Sequence, residues 1–224
     1  MKKKIAIIGS GIAGLTSGWL CREAGAEVTI LEAHANRGMD SLTEVLNVEG
    51  GDSGHVDVPL RVMSPHAWPT VLKLCEKLGV KTFEVDTQVA CSWINSRTWF
   101  RSSKIQIGSK IYPWAPLNYL LRPETYRILL GFIRLLKSDP KQLDSGLTLK
   151  DFSKHHHVDP LFWKGLLYPL LINICTSSEK SIDEWPARQI LNLLQKIVFG
   201  ARLRRFQGGT KALAEKLGEG LNWQ

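Results

Sequence analysis

The sequence of 224 residues lacks any long uninterrupted apolar run. The longest such stretch, Leu161 to Thr176, is broken by Lys164, so it does not provide the 18 or more apolar residues that a membrane-spanning helix needs. The amino terminus, Met1 to Ile8, carries basic residues but only a short apolar run before glycines begin, which is not typical of a secretory signal. We therefore expect a chain that starts at Met1 and stays in the cytoplasm.

Cysteine is scarce, and its spacing excludes the usual disulfide and metal patterns. The four cysteines, Cys21, Cys75, Cys91 and Cys175, form no CxxC pair, so we expect reduced and mostly buried thiols. Three consecutive histidines at 155–157 would point about 100° apart on a helix, which does not allow them to ligate one ion together. The sequence predicts no metal site.

The chain has an excess of basic residues, few of which are clustered in the sequence. Lys+Arg total 29 against Asp+Glu 21, a net charge of +8, and a composition of 44% hydrophobic and 22% charged residues is typical of a folded protein. The basic residues are dispersed except at Lys2 to Lys4 and Arg202 to Arg205. We expect no nucleic-acid partner.

The opening segment has the pattern of a βαβ unit. Lys4 to Ile8 predicts a short buried strand that ends in the GxGxxG sequence of residues 9–14. A helix is predicted over Ile12 to Ala24 and a second strand over Glu27 to Leu31, with Glu32 at its carboxyl end. This order of elements predicts a dinucleotide-binding site.

Each residue type in this pattern has a physical reason. Gly9 allows the tight turn, Gly11 lets the backbone approach a pyrophosphate, and Gly14 lets helix and strand pack together. Glu32 is predicted to accept hydrogen bonds from the ribose hydroxyls, and its charge disfavours NADP. The pattern by itself does not distinguish FAD from NAD, and a glycine-rich turn without a ligand is the structural alternative.

A wider set of residues resembles the opening of the flavin-dependent amine oxidase and phytoene desaturase-like superfamily. The set comprises Ile7 to Leu15, Gly18, Gly25, Val28 and the tripeptide Leu31-Glu32-Ala33. The resemblance implies an α/β fold with a Rossmann-like FAD/NAD(P)-binding domain, in which the first βαβ unit binds the ADP part of FAD. FAD is accordingly the predicted cofactor.

Two later segments depart from the pattern of that superfamily. The stretch from Arg37 to Thr43 keeps Gly38 and Thr43 but has Met39 and Asp40 where a second Gly and an Arg are usual. No Arg–phosphate contact is therefore predicted there, and Arg37 is either a substitute or an exposed loop residue.

The strand that passes under the flavin ring in that superfamily usually contains an Asp-x-Gly segment. Here the corresponding residues, 57–61, include Pro59, which has no backbone N–H to offer a flavin. Arg61 is the nearest charged residue that could stabilise negative charge on a reduced flavin, and it is predicted to do so. A surface or salt-bridged arginine is the alternative.

The whole sequence divides into four predicted regions. Residues 1–80 form the FAD-binding part, 81–112 a β-rich connection, 113–200 a mostly helical block, and 201–224 an incomplete return to the first domain. A hairpin is predicted between residues 41–48 and 55–62, and a capping box over Ser181 to Glu184. The resemblance implies that the helical block is an inserted substrate and lid domain, and that a strand following the return segment lies beyond Gln224.

The helical block contains many aromatic residues: Trp114, Tyr119, Phe132, Phe162, Trp163, Tyr168 and Trp185. They are suited to a bulky apolar substrate, and equally to a helical core. Its basic residues Arg122, Arg127, Arg134 and Lys137 stand among apolar ones, which is compatible with peripheral contact to a membrane or with a solvated face.

The sequence predicts an FAD-dependent oxidoreductase of the amine oxidase and desaturase-like type. The resemblance implies that hydride is taken from a C–N or C–C bond of an organic, apolar small molecule. The sequence does not identify a catalytic acid or base. It covers little more than the first half of such an enzyme, so the alternative is a truncated, non-catalytic chain with an unpaired sheet edge open to association. An NAD-dependent dehydrogenase is a weaker alternative. The predicted cofactor-binding residues are Gly9, Ser10, Gly11, Ile12, Ala13, Gly14, Glu32, Ala33, Gly38 and Arg61.

Overall fold

A computed structural model describes residues 1–35, 38, 42–47, 54–58, 61–108, 110–175, 177–198 and 202–224. The chain forms two compact units. Unit 1 contains Met1–Asp86 and Ala201–Gln224, and unit 2 contains Thr87–Gly200. The predictions on Arg37, Met39, Asp40 and Pro59 lie outside the described residues.

Unit 1 is built on the predicted βαβ unit. Strand β1 (Lys4–Ile8) leads into helix α1 (Ile12–Glu23) and strand β2 (Glu27–Leu31). The two strands are parallel and in register from Lys4 opposite Glu27 to Ile8 opposite Leu31. The βαβ prediction is confirmed, because β-branched runs favour buried parallel strands and the glycine turn allows the helix to fold back on them.

The rest of unit 1 packs around this βαβ unit. Its elements are β3 (Leu42–Leu46), β4 (Gly54–Val58), α2 (Pro69–Leu78), β5 (Thr82–Val85), β10 (Leu203–Phe206), α10 (Gly209–Gly218) and β11 (Asn222–Trp223). Strands β3 and β4 form the predicted antiparallel hairpin. The core contains Leu15, Ile30, Leu213 and Leu217, all fully buried, which joins α10 to α1 and the sheet.

Two strands of unit 1 differ from the predicted division of the chain. Strand β5, expected in a connecting part over 81–112, pairs with β10 antiparallel and so belongs to unit 1. The expectation that the strand after the return segment lies beyond Gln224 is wrong, since β11 follows α10 and is parallel to β2 with Asn222 opposite Thr29. Both strands are placed by hydrogen-bond partners that are distant in sequence, which local patterns do not identify.

Unit 2 is mostly helical, as predicted. Its helices are α3 (Leu117–Leu120), α4 (Pro123–Lys137), α5 (Leu149–His155), α6 (Pro160–Phe162), α7 (Tyr168–Cys175), α8 (Glu179–Asp183) and α9 (Ala187–Val198), with a 3-10 turn at Pro140–Gln142 and a π-helical turn at Trp163–Leu167. Two hairpins precede them: β6 (Ala90–Ser92) with β7 (Thr98–Arg101), and β8 (Ser103–Ile107) with β9 (Lys110–Trp114). The predicted capping box is wrong, because Ser178 rather than Ser181 caps α8.

Most aromatic residues of the helical block belong to the core of unit 2. Phe162, Trp163 and Tyr168 are buried in that core, and Phe132 and Trp185 are partly buried against it. Helices α4 and α6 meet so closely that a Cβ on Gly131 would lie 2.3 Å from Cγ of Phe162. Five of the seven aromatic residues therefore serve packing in this core, and Tyr119 is buried outside it.

The described residues provide neither a membrane-spanning helix nor a metal-binding cluster. No described helix is long and apolar enough to cross a membrane. The same residues contain no group of three His, Cys, Asp or Glu side chains placed to hold a metal ion.

Candidate dinucleotide-binding site

The turn between β1 and α1 explains two of its three glycines by the fold itself. Gly9 has φ +91, a conformation that residues with a Cβ rarely adopt, and its N–H donates to Leu31 O at 2.8 Å. A Cβ on Gly14 would lie 2.1 Å from Gly9 O. Gly9 thus makes the turn, and Gly14 lets α1 pack against it.

Gly11 has no such structural explanation. Its backbone, φ −63 and ψ 171, is extended and open to any residue. Within the part of the chain that the structure describes, a Cβ at this position would have nothing within 4 Å. The described residues therefore leave space in front of Gly11 for a ligand that approaches the backbone, which is the role of the second glycine in a dinucleotide fingerprint.

The amino end of α1 faces the same turn. Its N-cap is Gly11, which provides no side-chain cap, and its first turn contains no acidic residue. The N–H of Leu15 bonds to Gly11 O at 2.9 Å, so the amides before it stand ahead of the helical ladder. These amides and the positive end of the helix dipole favour an anion such as a diphosphate.

Ser10 connects this turn to the end of β2. The side chain is fully buried. Its backbone N–H donates to Glu32 Oε2 at 2.8 Å, and its Oγ donates to the same oxygen at 2.5 Å. Glu32 Oε1 in turn accepts from the backbone N–H of His34 at 3.0 Å.

These hydrogen bonds hold Glu32 in its ionised form. The Ser10 hydroxyl is the largest cause, followed by the backbone N–H groups of His34 and Ser10, and together they lower the pKa of Glu32 to about 2. A carboxylate has about four acceptor positions, and these contacts among the described residues use three of them. Glu32 is therefore a fixed acceptor with room for one more donor, such as a ribose hydroxyl.

Ser10 also contacts Gly38, which follows β2 in the sequence. The N–H of Gly38 donates to Ser10 Oγ at 2.9 Å. Gly38 has φ +120, and a Cβ there would lie 3.0 Å from Cβ of Ala214 on α10. The fold thus brings Ser10, Glu32 and Gly38 together, and the buried serine is their common partner.

The other predicted site residues are placed less centrally. Ile12 and Ala13 line a cavity of about 350 Å³ together with residues of α1 and α2. Ala33 is exposed, directly after Glu32. Arg61 is half-buried, two residues before Met63, which pairs with Arg204. The role of Arg61 toward a flavin stays a prediction.

A second polar cluster in unit 1 was not identified as a site from the sequence. Asp57 on β4 is buried, and its Oδ1 accepts from the Thr43 hydroxyl at 2.7 Å and from the Thr210 N–H and hydroxyl at 2.8 and 2.9 Å. The carboxylate therefore caps the amino end of α10 and ties it to the β3–β4 hairpin. The sequence signal for this cluster was the glycine pair before Thr210. In the structure the pair allows a close approach, since a Cβ on Gly209 would lie 2.5 Å from the Thr43 side chain.

The contact between Ser10 and Glu32 leads to a titration prediction. We expect Ser10→Ala to raise the pKa of Glu32 from about 2 toward its ordinary 4.5, because the largest stabilising hydrogen bond of the carboxylate is removed. A lowered pKa stabilises the folded state above pH 4.5, and this contribution is lost as the pH falls from 4.5 through about 2. Carboxyl NMR titration measures the change.

The matched control is Ser17→Ala, an exposed serine on the same helix. It should leave the Glu32 titration unchanged. An unshifted Glu32 midpoint in Ser10→Ala would contradict the assignment of Ser10 as the residue that holds the carboxylate.

The fold and this turn define a class of protein. Residues 7–78 match the family of NAD(P)-binding Rossmann-like domains. The matched segment contains the glycine turn, Glu32 and helix α2. The predicted fold class, a Rossmann-like α/β domain with a mostly helical second part, is confirmed.

Known proteins extend the similarity to nearly the whole chain. It is 23% identical to flavin-containing amine oxidase A of Sus scrofa over 95% of this chain and 41% of the relative, and 22% identical to flavin-containing amine oxidase B of Homo sapiens over 96% and 42%. L-glutamate oxidase precursor of Streptomyces viridosporus is 27% identical over 51% of this chain and 18% of its own length. The predicted resemblance to the flavin-dependent amine oxidase superfamily is confirmed, and the chain spans about two fifths of the two amine oxidases.

Solved structures with the same fold include proteins of different kinds. Cyclohexylamine oxidase from Brevibacterium oxydans superposes with a TM-score of 0.55 at 14% identity, over 98% of this chain and 49% of its own. Rab GDI from Plasmodium falciparum superposes with a TM-score of 0.57 at 12% identity, over 100% of this chain and 58% of its own. The fold is shared by an oxidase and by a protein that is not named as one.

Proposed function

We propose that unit 1 binds FAD at the Gly9–Gly14 turn and that the chain is the cofactor-binding part of an oxidoreductase of the amine oxidase type. One observation carries the proposal: Gly11 has ordinary backbone angles, and its Cβ position is open among the described residues, so their packing does not require a glycine here whereas a ligand close to the backbone would. The flavin-containing amine oxidases among the relatives support FAD over other dinucleotides.

The residues of the turn have distinct roles in this proposal. The backbone amides of Ile12 and Ala13, at the positive end of α1, bind the diphosphate. Glu32 accepts a ribose hydroxyl through Oε1, since Ser10 occupies Oε2. Because its pKa of about 2 keeps Glu32 ionised at neutral pH, the carboxylate repels a 2′-phosphate and disfavours NADP.

The proposed reaction is the oxidation of an organic, apolar small molecule at a C–N or C–C bond. A bound flavin supplies the hydride acceptor for such a reaction. The chain itself binds and orients the cofactor, and Arg61 is proposed to stabilise negative charge near the flavin ring. The four cysteines are free thiols, which supports a cytoplasmic location because disulfides are rare there.

Ligand titration of the purified chain tests the proposal. We expect FAD to bind with saturable quenching of flavin fluorescence, and NAD and NADP to bind at least tenfold more weakly, about 1.4 kcal/mol. A preference for NAD would instead support the dehydrogenase alternative. The absence of saturable binding by all three would support a non-catalytic chain with a partial pocket.

The open edge of β1 supports the expectation of association with another chain. In the part of the chain that the structure describes, the sheet order is β1-β2-β11, so β1 pairs only with β2. Gly9 N donates to Leu31 and Lys3 O accepts from Glu27, and this alternation points the N–H and C=O groups of Ala6 and Ile8 away from β2. Ile8 is 87% exposed. We propose that the β1 edge pairs with β1 of a second copy.

Proline at position 6 tests this pairing selectively. Ala6→Pro removes an outward N–H, which an edge strand tolerates, and leaves the bonds to β2 in place. We expect wild-type protein to show concentration-dependent association by light scattering and Ala6→Pro to stay monomeric, with unchanged circular dichroism. Association that persists in Ala6→Pro, or a wild-type chain that is monomeric throughout, would contradict the proposal.

A further inference from the structure

Helix α4 has two apolar sides, and the core of unit 2 uses only one of them. Its buried residues, Thr125, Ile128, Gly131 and Leu135, face that core. Thr125 is further fixed by its hydroxyl, which donates to Tyr119 O at 2.8 Å. The orientation of the helix is therefore set by unit 2 itself, and the opposite side has no role in that core.

A second apolar stripe lies on the exposed side. Tyr126, Leu130 and Ile133 follow one another by four and three residues, so they share one face of the helix. Each is about half exposed, at 54%, 53% and 46%. Leu117 and Leu121, in and directly after α3, are 82% and 90% exposed. We call these five residues the α3–α4 surface.

The charge bordering this surface is almost entirely positive. Between residues 117 and 138 the sequence has four basic residues and one acidic residue, Glu124. Arg122 donates to Thr98 O at 2.7 Å, and Arg134 donates to His157 O at 2.7 Å. Both acceptors are neutral carbonyl oxygens, so these bonds do not offset the positive charge of either arginine. Arg127 instead forms a two-bond pair with Asp159. The remaining cations flank the apolar stripe at both ends.

A cavity of about 540 Å³ opens at the carboxyl end of α4. Arg134, Lys137 and His156 line it, with Asp139 as the acidic residue of the lining. Lys137 lies four residues after Ile133, at the end of the apolar stripe. A cationic cavity next to exposed apolar side chains is suited to a ligand with an anionic head and an apolar body.

The charge of the whole unit agrees with this local pattern. Unit 2 contains 15 of the 29 Lys and Arg but only 8 of the 21 Asp and Glu, a balance of 15 − 8 = +7 out of the total of +8. Unit 2 therefore carries most of the positive charge that attracts an anionic surface, whereas unit 1 is close to neutral.

We propose that the α3–α4 surface docks on the face of an anionic phospholipid bilayer. The apolar stripe enters the boundary between headgroups and acyl chains, as the apolar face of an interfacial helix does. Arg122, Arg134 and Lys137 remain at headgroup level, where they contact lipid phosphate, and the cavity at the end of α4 accepts a headgroup. This inference rests on unit 2 and is independent of the flavin proposal.

Vesicle sedimentation of the full chain tests the docking. We expect at least tenfold more binding to vesicles of phosphatidylcholine with one third phosphatidylserine than to phosphatidylcholine alone, and a loss of most of that difference in 0.5 M salt. Leu130→Ser with Ile133→Ser should reduce binding at least tenfold. The control is Ile174→Ser, since Ile174 on α7 is 53% exposed and lies outside the surface.

A charge variant separates lipid docking from apolar adhesion. Lys137→Gln should lower binding to the anionic vesicles about threefold and leave the weak binding to phosphatidylcholine unchanged. Lys196→Gln on α9 removes the same charge outside the surface and should lower binding to the anionic vesicles less than Lys137→Gln does. Equal binding to both kinds of vesicle would overturn the proposal. So would a change in oligomeric state, without vesicle binding, in the Leu130 and Ile133 variant, because it would identify the surface as a protein interface.

Discussion

Gly11→Val is expected to lower the affinity for FAD by roughly 100-fold, about 2.8 kcal/mol, while the protein stays folded. The extended backbone of Gly11, φ −63 and ψ 171, is compatible with valine, and no described residue lies within 4 Å of its Cβ position. We therefore expect the free energy of unfolding to change by no more than about 1 kcal/mol. The added side chain would instead occupy the space in which a diphosphate approaches the helix.

Two measurements on the same preparation decide this prediction. Flavin fluorescence gives the affinity for FAD, and chemical denaturation followed by circular dichroism gives the stability. Gly14→Ala is the contrasting variant, because its Cβ would lie 2.1 Å from Gly9 O and should weaken folding and binding together. Full flavin affinity in a folded Gly11→Val would remove the observation on which the proposed function depends.

The second large effect is on stability, and it concerns Asp57. We expect Asp57→Ala to reduce the free energy of unfolding of unit 1 by about 3 kcal/mol, because it leaves buried hydrogen-bond donors without an acceptor. Oδ1 of Asp57 accepts from the Thr43 hydroxyl and from both the N–H and the hydroxyl of Thr210. Loss of these bonds detaches α10 from the β3–β4 hairpin.

Asp57→Asn is the matched control for that variant. Its amide oxygen retains the acceptor at Oδ1, so we expect a loss of only about 1 kcal/mol, which comes from the charge at the amino end of α10. Hydrogen exchange of α10 amides should increase in Asp57→Ala and change little in Asp57→Asn. Equal stability of Asp57→Ala and the wild type would show that the cap is not important for unit 1.

A similar distinction applies to Gly131 in unit 2, where the fold alone accounts for the glycine. Its Cβ would lie 2.3 Å from the ring of Phe162, so the residue is needed for the close approach of α4 and α6. Among the described residues, Gly11 has no such neighbour. The two glycines therefore differ in what a side chain would meet: packing requires Gly131, whereas it does not require Gly11.

The sequence alone determined the βαβ unit and its glycine turn. These features depend on contacts within about thirty residues: β-branched runs for two parallel strands, apolar spacing for α1, and glycines for the turn. The predicted ends of β1 and β2, Lys4 to Ile8 and Glu27 to Leu31, agree with the structure. The mostly helical character of unit 2 was likewise set by local patterns.

Only the tertiary structure decided which residues act together. Ser10 and Glu32 are 22 residues apart, and Asp57 and Thr210 are 153 residues apart. Strand β5 pairs with β10, although all of unit 2 lies between them in the sequence. Helix α8 is capped by Ser178 instead of the predicted Ser181. A local pattern records the propensity of each segment but not its distant neighbours, and hydrogen-bond partners of buried polar groups are chosen among those neighbours.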